Sequence, residues 1–353
     1  MQVVLAKCLI GGRETIIKWG SEIMKKKTVE YGKYGYLFIA PFFVVYALFQ
    51  LYPLIYTVWL SFVEYYSRGV GKTVGPSFVG LKNYASVLIN MNNKYQVIEG
   101  AKLFDTQTVH AILNTMLIWI CNFIPQILLA LLLASWFTDN ICKLKGQGAF
   151  KVMMFMPNII TASSISVLFY SLFCLGGPLS GLMQTIGMIP KEYDLMSSSG
   201  WTVGFIAFMQ FWMWYGNSMI VLIAGILGIN PSLYEAAMVD GANSKQQFFS
   251  ITLPLLKPII QFTLVTSAIG GLQMYDIPAL FNTINGTIGG PAGSNVSNTI
   301  TMYIRQTGYG ISANYGKSAA SSMVLFFVTL AISLVFFAVT REREPKQRHA
   351  VIK

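Results

Sequence analysis

The chain has 353 residues, of which 54% are hydrophobic and 11% charged, with a mean hydropathy of +0.56. Soluble globular chains carry about 25% charged residues, and a core of this size could not hide so much apolar surface, so an ordinary soluble domain is excluded and lipid is the expected solvent. The formal charge of +11 would suit a nucleic acid, but the Lys and Arg gather at the two ends and in short loops, a pattern of membrane orientation with no nucleic-acid partner.

A span needs roughly 20 mainly apolar residues to cross a hydrocarbon core about 30 Å thick. Six stretches qualify, and each is expected to be a helix because lipid offers the backbone no hydrogen-bond partner. Residues 1–36 form a basic segment containing Lys25, Lys26 and Lys27. Cys8 follows Lys7 with no apolar region ahead, which argues against lipoprotein cleavage. The first apolar run starts near Tyr36 and is long enough to span, so no cleavable signal peptide is expected.

The first span is placed at about 37–62, within a segment 37–63. An outer stretch, 64–108, is broken by Gly69, Gly71, Gly75 and Pro76 and has room for a short helix around 81–88. The core transmembrane region, 109–340, holds spans at about 109–136, 152–175, 201–227, 259–281 and 319–339. Residues 282–298 are turn-rich, and a basic tail, 341–353, carries Arg341, Arg343, Lys346 and Arg348. With both termini inside, the inner segments hold 17 of the 25 Lys and Arg, so both termini are predicted to be cytoplasmic in a multi-pass cell-membrane protein. Cys8, Cys121, Cys142 and Cys174 are scattered without metal-ligand spacing, so no metal site is expected.

The most informative stretch is the cytoplasmic segment 230–254. Asn230 is a good N-cap and Pro231 a good first helical residue. Ala236 and Ala237 leave a smooth surface, and Gly241 suits a left-handed helix end. Ser244 and Gln247 then read as a capping box, and Pro254 as the stop before the next span. An ordinary amphipathic loop fits the same residues.

The run Glu235-Ala236-Ala237, then Asp240-Gly241-Ala242, then Ile251 and Leu253-Pro254 resembles the EAA loop of binding-protein-dependent import permeases. Phe78 to Tyr84, Leu113-Asn114-Thr115, Leu272 to Asp276 and Gly289-Gly290-Pro291 are similar to the sugar-uptake branch, typified by the first maltose-type permease. The resemblance covers about 36–340 and departs at 282–297, where the family has a shorter link. The chain also lacks the extra N-terminal spans and large periplasmic domain of the maltose-type subunit. The resemblance implies an all-α permease of six transmembrane helices with a cytoplasmic coupling helix. It also implies a second homologous permease, a dimeric cytoplasmic ATPase and an extracytoplasmic solute-binding protein. Glu235, Ala236, Ala237, Asp240 and Gly241 would form the docking surface for the ATPase.

The chain itself has no phosphate-binding loop. Gly310 and Gly316-Lys317-Ser318 are separated by five residues where that loop requires four. No catalytic residue and no cofactor are expected here; ATP and Mg would belong to the ATPase.

Polar side chains within spans usually face a bundle interior or a cavity. Gln210, Met213, Trp214 and Asn217 fall on one helical face of the fourth span. Amides bond hydroxyls and an indole can lie against a sugar ring, although such groups also join helices. This face, and Asn158 beside Pro157 in the third span, resemble substrate-facing positions of the family. Ser267, Gln273 and Asp276 add small and polar groups in the fifth, with substrate contact and a structural hydrogen bond both open for Asp276.

Two rivals remain beside an ATP-driven oligosaccharide importer. One is a proton-coupled secondary transporter with Asp276 as carrier, and the other is the same importer with a non-sugar cargo. An intramembrane enzyme would need a nucleophile–base pair or metal ligands within the spans, and the sequence has none. Phosphate cargo would call for intramembrane Lys or Arg, and the spans have almost none, which favours neutral sugars.

Overall fold

The computed structural model describes residues 32–69, 71–91, 95–100, 102–139, 146–190, 192–286 and 294–340. Gly289-Gly290-Pro291, Lys25–Lys27 and the basic tail lie outside them. Among the described residues five helices are long and apolar enough to cross a membrane, and a bent pair, Ser244–Leu255 with Lys257–Ile284, gives six when it is taken as one span.

Two units divide the chain, Met1–Tyr56 and Thr57–Lys353. The first span is a helix from Gly32–Tyr46, a π-helical turn Ala47–Leu51 and a helix Tyr52–Ser61. The π turn has a local cause: Pro53 has no N–H for the Phe49 carbonyl, and the Tyr52 N–H reaches back to Ala47 O instead. Its apolar side chains between Tyr34 and Tyr56 are exposed, as expected of a helix that is apolar all round.

The stretch 63–108 contains a hairpin that the broken periodicity did not reveal. Val63–Ser67 pairs antiparallel with Thr73–Phe78 in the register Val63 to Phe78 and Ser67 to Thr73. Gly75, at φ +92°, allows it; a Cβ there would sit 1.9 Å from Glu64 O. The helix expected near 81–88 forms at Lys82–Leu88. Its buried Asn83 donates to Ser61 O at 3.0 Å and Val63 O at 2.9 Å, and accepts from the Tyr95 phenol at 2.8 Å. Gly316 of the sixth span, Tyr315–Thr340, packs against the same amide. Burial, followed by the charge of Glu64, pushes the Tyr95 phenol up to about 12.

The second span, Gln107–Thr138, is capped by Thr106, whose side chain accepts from the Val109 N–H. It packs along the fourth span, Ser199–Leu227. Ile118, Ile165, Ile206, Met209 and Phe281 form one buried centre, and Met219, Leu222 and Leu256 belong to another. Lipid and a buried core are similarly apolar, so close packing rather than water exclusion holds these helices together. Gly216 shows the mechanism: a Cβ there would lie 2.9 Å from Met154 O, so the helix Gln147–Phe155 and the fourth span meet backbone to backbone.

Three expectations change. The third span is not one helix over 152–175. A helix Gln147–Phe155 leads into a 3-10 turn Met156–Ile159, and Thr161 caps a new helix, Ala162–Phe173. The span-length apolar stretch here is Ala162–Thr185. Pro157 supplies the break, because it cannot donate to the preceding turn. The capping box lies one residue earlier than expected, with Asn243 and Gln246 exchanging both bonds at 2.9 Å. Asn and Ser are comparable N-caps, and here Asn243, with Gln246 three residues on, takes the position ahead of Ser244. Pro254 does not stop the helix. It induces a second π turn, Phe248–Thr252, and the chain bends by 64° at Leu256 instead.

Candidate functional site

Two regions carry the residues singled out above. The first is the segment after the fourth span. Asn230 Oδ1 accepts from the Ser232 N–H at 3.1 Å, starting the helix Pro231–Val239. Gly241 ends it at φ +79°, donating its N–H to Met238 O. Glu235, Ala236, Asp240 and Gly241 are exposed, and Ala237 is half-buried. Leu233, Met238 and Val239 are exposed as well, with Val239 88% open. Apolar side chains and two carboxylates of this short helix are therefore open together, with no partner among the described residues covering them. Tyr234 turns the other way and shares a 2.9 Å hydrogen bond with Thr252, at the foot of the fifth span.

The second region is an open-sided cavity of about 530 Å3 lined mainly by the second, fourth and fifth spans. Small-molecule pockets typically measure about 300–1,000 Å3. Gln210, Met213, Trp214 and Asn217 line it from the fourth span, and Ser267, Gln273 and Asp276 line it from the fifth. Seven of the eight residues selected from the sequence therefore meet in one place. Trp214 is 48% exposed, so much of its ring is open. The fifth span makes this wall by breaking: Lys257–Leu272 ends at Gln273, and a new helix, Asp276–Ile284, starts on the acid. Thr299 and Thr301 both donate to the freed Met274 carbonyl, which fixes the break. Arg305 reaches across to the Tyr275 hydroxyl and ring.

Asn158 is the exception. It does not line the cavity; its amide donates to Met213 O at 3.1 Å, bracing the third span against the fourth. The sequence reading also missed one wall. Trp119, Asn122 and Gln126 of the second span line the cavity, as do Thr263, Thr266 and Tyr275. Their spacing of three and four residues on an apolar helix was an available signal. Gln126 donates to Ser218 Oγ at 2.8 Å and to Trp214 O, tying this wall to the fourth span. No Lys, Arg or His lines the cavity among the described residues, and Asp276 is its one acid.

Residues 111–349 match the family described as the inner membrane component of binding-protein-dependent transport systems. The chain belongs to that family. It is therefore a multi-pass membrane permease of a transport system, and its family is one of permease subunits rather than enzymes. Among its relatives, the lactose transport system permease protein LacF of Rhizobium radiobacter is 32% identical over 310 residues, 88% of this chain and 95% of that protein. The arabinooligosaccharides transport system permease protein AraP of Bacillus subtilis is 29% identical, over 85% of this chain and 86% of that protein. The trehalose/maltose transport system permease protein MalF of Thermococcus litoralis is 28% identical, over 88% and 95%. In fold, the chain is similar to a bacterial alginate ABC transporter solved in complex with an alginate pentasaccharide-bound periplasmic protein. The TM-score is 0.67 at 21% identity, covering 89% of this chain and 96% of that one.

Proposed function

We propose that this chain is one of two permease subunits of an ATP-driven importer of neutral oligosaccharides, and that the 530 Å3 cavity is its half of the sugar path. The observation that carries the reading is the convergence of Gln210, Trp214, Asn217, Ser267, Gln273 and Asp276 on one cavity, in a chain of this family. Amides and hydroxyls exchange hydrogen bonds with sugar hydroxyls, and Trp214 gives an open aromatic face for a pyranose ring. The absence of a cationic side chain among the described lining residues suits a neutral cargo better than a phosphorylated one. Relatives whose names specify lactose, arabino-oligosaccharides, and trehalose or maltose agree with that choice.

Coupling to ATP runs through 230–254. A cytoplasmic ATPase dimer, which binds ATP and Mg, receives the exposed face of Pro231–Val239, with Glu235 and Asp240 as acceptors for its cationic groups. The bond between Tyr234 and Thr252 passes displacement of this helix to the fifth span, whose upper half forms the cavity wall. ATP-driven closure then switches the cavity between inward and outward access. A second homologous permease completes the path, and an extracytoplasmic solute-binding protein delivers cargo. Both termini face the cytoplasm, as the Lys and Arg bias requires.

The test is reconstitution of the co-purified complex in proteoliposomes, with lactose, trehalose, maltose and arabinotriose offered as cargo. Uptake of at least one sugar that depends on ATP, the ATPase and the binding protein is expected. Uptake by the permease alone, driven by a proton gradient and lost in Asp276→Asn, would instead establish a secondary transporter.

A further inference from the structure

The second span supplies a wall to the cavity, and one of its residues has a contact that changes what a neighbour can offer. Trp119 is 6% exposed, and its indole N–H donates to Ser267 Oγ at 3.2 Å across the interface between the second and fifth spans. The ring occupies space that any side chain at Gly271 would fill: a Cβ there would lie 1.9 Å from Cδ1 of the indole. Phe123, stacked at 5.6 Å, and Phe336 of the sixth span at 6.0 Å hold its remaining surfaces. Three spans therefore fix this indole in a single orientation.

An indole N–H only donates, whereas a serine hydroxyl can both donate and accept. In a helix the hydroxyl proton commonly goes to the carbonyl four residues back. Thr263 and Thr266 of the same helix do this, donating to Ile259 O and Phe262 O. Ser267 does not: among the described residues its one hydrogen bond is the one it accepts from Trp119. With that lone pair committed to the indole, the hydroxyl proton is left for a group in the cavity that Ser267 lines. The two amides of the second-span wall already donate to protein acceptors. The Asn122 amide N–H donates to Ile118 O, and that of Gln126 to Trp214 O and Ser218 Oγ.

We infer that Trp119 is a positioning residue that sets Ser267 as a hydrogen-bond donor to an oxygen of the bound sugar, and that Gly271 is glycine to give the indole its place. The inference rests on the reading of the cavity as the sugar path. Trp119 itself need not touch the sugar.

The experiment uses the reconstituted complex and lactose, or the panel sugar that the unaltered complex imports fastest. Trp119→Phe keeps a ring and removes the N–H; Ser267→Ala removes the donor. Each is expected to raise KM roughly tenfold, the typical effect of about 1.4 kcal/mol, with kcat within about twofold. The double variant is expected to be no worse than either single one, because both remove the same bond. If Trp119→Phe fails to assemble, benzothienylalanine at position 119 replaces the N–H by sulfur at nearly the same shape and makes the same comparison. An unchanged KM in the position-119 variants, or effects that multiply in the double variant, overturns the role of Trp119. Failure of the unaltered complex to import any sugar in the panel overturns the reading of the cavity instead.

Discussion

Individual side chains carry the chemistry of this permease, and they divide into those that face the cavity and those that hold it in shape. Trp214 and Asn217 are of the first kind. Trp214→Ala and Asn217→Ala should each reduce sugar affinity by about tenfold or more, since one hydrogen bond or ring contact contributes roughly 1–2 kcal/mol. The complex should still co-purify, and unchanged uptake would remove both residues from the path. Asn158 is of the second kind, although its sequence neighbourhood placed it in the first. An amide beside a proline in an apolar run has unmet hydrogen bonds wherever it points, and only the neighbouring span decides whether sugar or Met213 O meets them. Tyr95 carries a prediction in pH. Its phenol is held at about 12 against an ordinary 10.0, so the folded segment around Asn83 favours the neutral form. That stabilisation is complete below about pH 10 and is lost as the pH rises through about 12. The difference in melting temperature between the unaltered protein and Tyr95→Phe should narrow over that window, and a constant difference would show that the phenol titrates normally.

At the scale of elements, breaks in helices matter as much as their lengths. Pro53 and Pro254 each induce a π turn in the residues just before them, Pro157 divides the third span, and Gln273–Tyr275 opens the fifth to form a cavity wall. The prolines were visible in the sequence, but their outcomes were not. A missing N–H can be absorbed by a π turn, a 3-10 turn or a full break, and the packing around it selects among these. The capping box shows the same competition on a smaller scale, with Asn243 displacing the expected Ser244. Two substitutions test element contacts. Gly216→Ala places a methyl 2.9 Å from Met154 O and should cost roughly 1–3 kcal/mol through overpacking. This should lower the melting temperature in detergent, whereas Gly204→Ala, with open space around it, should not. Gly241→Pro forces φ to about −65° at a position that needs +79°, and removes the N–H bonded to Met238 O. The variant should insert in the membrane yet lose ATP-dependent transport. Normal transport would count heavily against 230–254 as the ATPase contact.

At the scale of the whole molecule, the chain is a set of membrane helices with a cavity of mixed amide, hydroxyl and apolar lining at one level and an exposed short helix at another, joined through the fifth span. The six spans, the segment 230–254 and the permease family were legible in the sequence, because each follows from local chemistry. Lipid selects for long apolar runs, and a helix with an Asn-Pro start and a Gly end is encoded within a dozen residues. Seven cavity residues were legible for a related reason: polar groups are costly in lipid, so their presence in a span announces an interior. The second-span wall and the hairpin of 63–78 were settled only by tertiary structure. Trp119 became part of the site because Gly271, 152 positions away in the chain, leaves a hollow for its ring, and Asn158 left it because Met213 O lay within reach. Which partner meets a polar group's hydrogen bonds depends on how helices rotate and where they bend, and the folded packing decides that all at once.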